Sequence, residues 1–173
     1  FNGRPLDFRQ LWINGKKAVR ARDVADFEKM YRIINNDPQN EILWVPAAAV
    51  KKIQKARYAE MVLHEMWCVA NLRIKSVEIQ GDSAAVRFHH PESRIQFEHP
   101  WPRPMVTKDG HNSAFYLTNA MELLDEPGEW YHDIESRKIY YYPRKGEKIS
   151  KAVVPGIETL VWVCLLYTSP SPR

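Results

Sequence analysis

The sequence has 173 residues, of which 45% are hydrophobic and 27% charged, and its formal net charge is +4. This balance is typical of one globular domain with its own core and excludes a disordered chain, and no run approaches the roughly 20 apolar residues of a membrane span. Basic residues are scattered among acidic ones, and the densest basic groups, Lys16 with Lys17 and Lys51 with Lys52, are only pairs, which argues against a nucleic-acid-binding patch.

A hairpin and a helix are the first predicted elements. Asn14 and Gly15 separate two apolar runs, and both residue types suit the positive φ angles of a type I′ turn, which predicts a β-hairpin over residues 9–20. Apolar residues three and four positions apart predict a helix over residues 26–34, which ends at a polar run containing Pro38.

A series of strands follows. Residues 42–45 form an apolar run typical of a strand, and Pro46, at the preferred first position of a helix, predicts a helix that ends near Arg57. Runs rich in Val, Ile, Leu and Trp, partly with a two-residue alternation, predict strands over residues 61–64, 67–79 and 84–88.

The last third of the sequence combines a long loop with a second hairpin. Repeated prolines predict a loop over residues 91–112, and loops of this length inside a domain are usually functional or disordered. Residues 121–124 predict a short helix, which Pro127 and Gly128 end. Aromatic and β-branched runs on either side of residues 133–137 predict a β-hairpin. The elements together predict a mainly β fold with short helices, in an antiparallel, sandwich-like arrangement.

Both ends of the sequence suggest a piece of a larger protein. The first residue is Phe1 rather than Met, and the last residues, VCLLYTSPSPR, resemble translated sequencing-adapter sequence of the kind found in metagenomic assemblies. We therefore expect a β-rich subdomain over residues 1–162 and a non-native tail over residues 163–173. The alternative is a genuine Ser/Pro-rich linker that begins at Thr168.

Histidines and carboxylates are the first candidates for chemistry. His89 and His90 are adjacent, and neighbouring residues of a strand point to opposite faces, so a polar loop is favoured over a metal site. Four acids could supply the carboxylate pair of glycoside hydrolysis, but they flank a turn and a hairpin, where charge serves solvation. These acids are Asp125, Glu126, Glu129 and Asp133. Two cysteines are too few for a disulfide framework, and no nucleophile or phosphate-binding motif occurs. The residues thus predict no catalytic group, metal site or cofactor.

Glu98, His99 and Trp101 form the most function-like cluster and are the predicted substrate-binding residues. Trp101 lies between Pro100 and Pro102, and an indole held in this way is a rigid, flat surface that could stack on the face of a sugar. The more common arrangement is the alternative, in which Trp101 anchors the loop onto the core.

A family resemblance runs through most of the chain. The segments that carry it, in order, are LWINGKKAVRAR, AEMVLHEMWCVANLRIKSV, PESRIQFEHPWP, NSAFYLTNAMELLDEPGEWYHDIESRKIYYYPRKGE and VVPGIETLV. They resemble the N-terminal part of right-handed parallel β-helix proteins of bacterial polysaccharide degradation, and the most similar named group is glycoside hydrolase family 141. The GEWY hairpin and the ETLV segment are the most specific parts.

The resemblance implies an antiparallel β-rich subdomain that adjoins a right-handed parallel β-helix and packs on its rungs. The ETLV segment would lead into those rungs, and the hydrolytic acids would come from later in the chain, so this chain alone is expected to be inactive. The implied partner is a polysaccharide or oligosaccharide, with neither nucleic acid nor membrane, and the implied location is secreted or periplasmic. A non-catalytic carbohydrate-binding or adhesion module and a purely structural subdomain are the alternatives.

Overall fold

A computed structural model describes residues 8–157, and within this range the chain is mainly β. The strands β1 to β13, in chain order, are Trp12–Ile13, Lys16–Lys17, Val19–Arg20, Tyr31–Arg32, Asn35–Asp37, Ile42–Pro46, Glu60–His64, Val69–Gln80, Ser83–Phe88, Ala114–Thr118, Glu129–Asp133, Lys138–Tyr141 and Ala152–Val153. The helices are α1, Ala47–Val50, and α2, Glu92–Glu98, and 3₁₀ turns occur at Phe27–Lys29, Lys51–Ile53 and Met121–Leu123. The predicted class, mainly β with short helices, is confirmed.

The largest sheet is antiparallel and closes on itself. Its seven strands lie in the order β4-β10-β7-β8-β9-β6-β5, and the two outermost strands belong to one segment, residues 31–37. The first half of this segment pairs with β10, where Tyr31 lies opposite Phe115, and the second half pairs with β6, where Asn35 lies opposite Trp44. Because one segment bonds to both ends of the sheet, the antiparallel strands form a barrel.

The barrel interior holds the main hydrophobic core. Met61 and Leu63 of β7 lie opposite Leu117 and Phe115 of β10, and all four side chains are fully buried. Val50 of α1 and the 3₁₀ turn after it add to the same core. Side chains alternate between the two faces of a strand, so the residues between these inward positions lie on the outer face of the barrel.

Two three-stranded sheets accompany the barrel, in the orders β13-β1-β2 and β12-β11-β3. They share a second, smaller core around Trp130, whose indole is fully buried and stacks on Phe8 at a centroid distance of 5.5 Å. Strand β1 lies between β2 and β13, with Trp12 opposite Val153. The two ends of the described range therefore lie side by side.

Residues 19–23 join the small sheets to the barrel. Val19 and Ala21 donate their backbone N–H groups to Gly128 and Trp130, whereas the next residue but one, Asp23, donates to Leu117 of β10. The same short segment is thus hydrogen-bonded to both parts of the molecule.

Asn119 completes this junction and is fully buried. Its N–H donates to the carbonyl of Ala21 (3.0 Å), its Nδ2 donates to the carbonyl of Tyr58 (2.9 Å), and its Oδ1 accepts from Arg20 Nε (3.2 Å) and His132 N (3.5 Å). Its φ of 57° lies in the left-handed region, which Asn tolerates better than most residues.

Both predicted hairpins are confirmed. The first turns at Asn14 and Gly15 with φ angles of 50° and 78°, as a type I′ turn requires, and the second pairs β11 with β12, where Trp130 lies opposite Tyr141. The strands predicted over residues 42–45, 61–64, 67–79 and 84–88 correspond to β6, β7, β8 and β9, with small shifts at their ends.

The predicted helix over residues 26–34 is wrong. Only Phe27–Lys29 turns, as a 3₁₀ helix capped by Asp26, and the chain then continues as β4. Met30 and Ile33 are buried, and the N–H of Ile33 donates to the carbonyl of Ser113 beside β10. Pairing with the barrel therefore outweighs the local helical spacing. The predicted helix after Pro46 is shorter than expected, since α1 ends at Val50 and a 3₁₀ turn continues only to Ile53. The helix predicted over residues 121–124 is a single 3₁₀ turn, Met121–Leu123.

The predicted loop over residues 91–112 contains α2. On the inward-facing side of α2, Ser93 bonds to Glu41 (2.5 Å) and Gln96 bonds to Glu65 (2.7 Å), while Ile95 is exposed. The helix therefore lacks the apolar periodicity on which the sequence prediction depends. The ETLV segment and the expected tail over residues 163–173 lie outside the described residues.

Replacing Asn119 with Ala should lower the free energy of unfolding by roughly 2–4 kcal/mol, because it leaves buried partners unsatisfied and places a less tolerant residue at positive φ. Urea denaturation followed by tryptophan fluorescence measures the change. Asn40→Ala is the matched control, since the side chain of Asn40 bonds to the exposed carboxylate of Asp37. A stability of Asn119→Ala equal to that of the control would show that this junction does not hold the two parts together.

Candidate functional site

The three predicted binding residues lie at the end of α2 and just beyond it. Glu98 is the last residue of α2 and is exposed, and its carboxylate forms an ion pair with Arg94 (2.9 Å) one turn earlier. His99 is also exposed, and its Nδ1 accepts from the backbone N–H of Trp101 (3.3 Å). His99 and Trp101 are therefore in contact, whereas Glu98 is engaged with its own helix.

Trp101 packs against a second tryptophan, Trp67, that sequence reasoning missed. The two ring centroids are 5.5 Å apart and the planes are inclined by 75°, an edge-to-face arrangement. Trp67 is 77% exposed and Trp101 is 39% exposed. Two indoles that support each other in solvent form a rigid aromatic surface, here called the tryptophan pair.

Glu65 holds the turn that carries Trp67. This turn connects β7 to β8 and is closed by a backbone bond from Glu65 N–H to the carbonyl of Cys68 (3.0 Å). One carboxylate oxygen of Glu65 accepts from the Cys68 thiol (3.0 Å), and the other accepts from Gln96 Nε2 of α2 (2.7 Å). Glu65 thus ties the turn of Trp67 to the helix that leads into Trp101.

The pKa of the Cys68 thiol depends on its contact with Glu65. Burial and the hydrogen bond to Glu65 raise its pKa to about 11. The thiol therefore stays protonated at neutral pH, as the hydrogen bond to the carboxylate requires, and its reactivity as a nucleophile is low.

A groove of about 420 Å³ lies beside Trp101, within the usual size range of small-molecule sites. Asn35, Asn36 and Arg103 supply polar groups to its lining, and Pro38 and Pro104 supply apolar surface. Within residues 8–157 the buried Oδ1 of Asn36 has no hydrogen-bond partner. Amide and guanidinium groups next to an exposed indole are the combination that a sugar needs, since its hydroxyls take hydrogen bonds and its ring face packs on the aromatic surface.

Two of the four acids considered for hydrolysis, Glu129 and Asp133, accept hydrogen bonds that stabilise local turns. Glu129 is buried, its carboxylate accepts backbone N–H groups from Arg22 (3.4 Å), Asp125 (3.3 Å) and Glu126 (3.2 Å), and burial raises its pKa. Asp133 accepts from the hydroxyl and N–H of Ser136, which holds its pKa below the usual value. These contacts build the turns on either side of β11.

Metal-ligating residues do not converge in the described part of the chain: residues 8–157 contain no group of three His, Cys, Asp or Glu side chains placed to share an ion. His90, one of the two histidines considered for such a site, has its Nε2 3.8 Å from a carboxylate oxygen of Glu41. The same range holds no helix of the length and hydropathy that crossing a bilayer requires.

Trp67 was overlooked because its position in sequence predicts the first residue of a strand. In the structure β8 begins only at Val69, and Met66 and Trp67 lie exposed in the preceding turn. Two large apolar residues in a hairpin turn can indicate a binding surface, because such turns ordinarily carry polar residues or glycine.

Comparison with known proteins supports the glycoside hydrolase part of the resemblance seen in the sequence. The model of the GH141 insertion domain matches residues 1–144. A solved structure described as a glycoside hydrolase is 73% identical and superposes with a TM-score of 0.87, and the match covers 92% of this chain and 28% of that one. Among curated proteins, none matches the chain. The chain thus spans less than a third of the glycoside hydrolase that it matches, and it belongs to the GH141 insertion domain family.

Proposed function

We propose that this domain forms one wall of a glycan-binding cleft in a glycoside hydrolase and that residues elsewhere in that protein perform the hydrolysis. The observation that carries the proposal is the exposed tryptophan pair beside a groove with amide and guanidinium groups. Membership of a glycoside hydrolase insertion family makes a carbohydrate the appropriate ligand for such a surface.

The physical basis is the amphipathic nature of a sugar ring. Its C–H faces are apolar and pack on an indole, while its hydroxyls need hydrogen bonds when they leave water. Trp67 offers an open ring face, and Asn35, Asn36 and Arg103 offer donors and acceptors next to Trp101. The indoles have few rotatable bonds, so little conformational entropy is lost when the sugar stacks.

The remainder of the parent protein would supply the chemistry. Trp12 lies opposite Val153, so both connections of the domain would leave from one small sheet, which suits a domain inserted into a longer chain. Glu129 and Asp133, two of the acids described above, accept hydrogen bonds that hold turns. On the sequence resemblance, that longer chain is a bacterial, secreted or periplasmic right-handed parallel β-helix against which this domain packs.

A non-catalytic carbohydrate-binding or adhesion protein could use the same tryptophan pair. Turnover by the parent protein distinguishes the two functions, because the cleft wall of a hydrolase changes the rate of cleavage and an adhesion module changes binding alone. A purely structural subdomain would bind no glycan at all.

Trp67→Ala and Trp101→Ala should each weaken oligosaccharide binding by roughly tenfold while leaving the melting temperature nearly unchanged, because the rings are exposed and stack on the ligand. Isothermal titration with cello-, xylo- and manno-oligosaccharides measures the affinity. Tyr142→Ala removes an exposed aromatic ring elsewhere and is the matched control. Loss of stability with intact binding would show instead that these rings hold the structure together.

Glu65→Ala should weaken the same binding several-fold, because it releases the turn of Trp67 from α2, whereas Glu65→Gln, which keeps one acceptor, should recover most of the affinity. The change should also lower the pKa of the Cys68 thiol, so alkylation by iodoacetamide at pH 8.5 becomes faster. Peptide mass spectrometry resolves the reaction at Cys68. Unchanged alkylation together with unchanged affinity would remove Glu65 from the positioning of the tryptophan pair.

The isolated chain should bind oligosaccharides without cleaving them. Incubation with the bound sugars, followed by chromatography of the products, tests this directly. Release of shorter sugars, abolished by Glu129→Gln but not by Glu98→Gln, would contradict the proposal and place hydrolysis within this domain.

A further inference from the structure

A second groove lies on the outer face of the barrel, and its lining shares no residue with the tryptophan pair or with the groove beside it. It is formed over Val62 of β7 and Tyr116 of β10, which lie opposite each other between the inward-facing core residues. Its volume is about 180 Å³, which suits a single sugar ring rather than a chain. Arg9, Arg20 and Arg22 surround it, and Asn71 of β8 closes one side.

Arg9 and Arg20 share one carboxylate, that of Glu60. Arg9 Nη1 lies 2.6 Å from Glu60 Oε2, and the two terminal nitrogens of Arg20 each lie 3.1 Å from one of its oxygens. The side chain of Glu60 is only 6% exposed, so its charge is neutralised by these guanidiniums rather than by water. Among the described residues, three guanidiniums and two carboxylates, those of Glu60 and Asp23, lie at this groove, which leaves an excess of positive charge.

The third arginine has an unused guanidinium. Within residues 8–157 no hydrogen bond or ion pair joins the side chain of Arg22 to another residue, although its backbone N–H donates to Glu129. The carboxylate of adjacent Asp23 accepts the N–H of Leu117 (2.8 Å) and, within the same range, forms no ion pair with Arg22. Arg22 is therefore available to an anionic ligand.

Two uncharged groups share this availability. Neither the hydroxyl of Tyr116 nor the amide of Asn71 forms a hydrogen bond within the described range, and both line the groove. Burial raises the pKa of the Tyr116 hydroxyl; the nearby charges of Arg22 and Arg20 partly oppose the rise, and those of Asp23 and Glu60 add to it. The groove thus combines an apolar floor at Val62, a free cation and two free hydrogen-bonding groups.

We infer that this groove binds an acidic sugar, with Arg22 pairing to its carboxylate and Tyr116 and Asn71 bonding to its hydroxyls. A planar carboxylate matches the fork of a guanidinium, and an excess of positive charge favours an anion over a neutral sugar. The inference takes only the class of ligand, a saccharide, from the proposed function, and it assigns a uronic acid as the unit recognised at this position.

The test compares glucuronate with its methyl ester and with glucose, by NMR titration of the chain at low ionic strength. Glucuronate should bind at least about fivefold more tightly than the ester, since the ester keeps the ring and its hydroxyls but replaces the charged carboxylate that Arg22 would meet with a neutral methyl ester, and added salt should reduce the difference. Equal affinities for the acid and its ester would overturn the inference. Tighter binding of N-acetylglucosamine 6-sulfate than of glucuronate would also overturn it, because the site would then recognise a sulfate.

Arg22→Gln should abolish the preference for the acid and leave folding intact, because the backbone bond to Glu129 remains. Arg137→Gln, on the exposed turn between β11 and β12, is the matched control and should keep the preference. A preference that survives in Arg22→Gln would contradict the assignment. Binding of neutral oligosaccharides to the tryptophan pair should not change in this variant. If the wild-type protein prefers the acid but does not bind neutral oligosaccharides at the tryptophan pair, the proposed function alone is overturned.

Discussion

Arg20 occupies the point where the barrel and the small sheets meet, and the arrangement of the molecule depends on its contacts. Its guanidinium pairs with buried Glu60 on the outer face of the barrel, donates to Asn119, and lies 5.8 Å from the ring of Trp130 in the second core. The buried carboxylate of Glu60 needs a cation, and the fully buried side-chain amide of Asn119 needs hydrogen-bond partners. The same contacts that lock the two cores together therefore place arginines at the edge of the outer groove.

The two proposed binding surfaces follow from how the barrel separates its faces. Apolar side chains that point inward leave the alternate residues of β7 and β10 outside, where Val62 and Tyr116 form the floor of a groove. The tryptophan pair instead lies at a turn and at the end of a helix, where the chain is free of the strand ladder. A neutral sugar face suits the indoles and a charged sugar suits the arginines, so the two surfaces would read different parts of one glycan.

Local chemistry made much of the fold predictable. The Asn14-Gly15 turn and the alternating strands depend on preferences of neighbouring residues, and both appear where the sequence predicts them. The helical spacing of residues 26–34 predicts a helix that does not form, because Met30 and Ile33 are buried in the barrel and do not form one face of a helix. Helix α2 is not predicted from the sequence because its inner side has polar residues instead of an apolar stripe. Ser93 bonds to Glu41 and Gln96 bonds to Glu65 on that side.

By itself the sequence determined the β-rich class, the hairpins, the family resemblance and the unusual setting of Trp101 between prolines. Only the tertiary structure decided that residues 31–37 close the sheet into a barrel, that Trp67 meets Trp101, and that Arg22 lies beside Tyr116 with no side-chain partner among residues 8–157. These features join residues far apart in the chain. Their pairing depends on which strands become neighbours and which faces turn outward, and neither is encoded in the spacing of nearby residues.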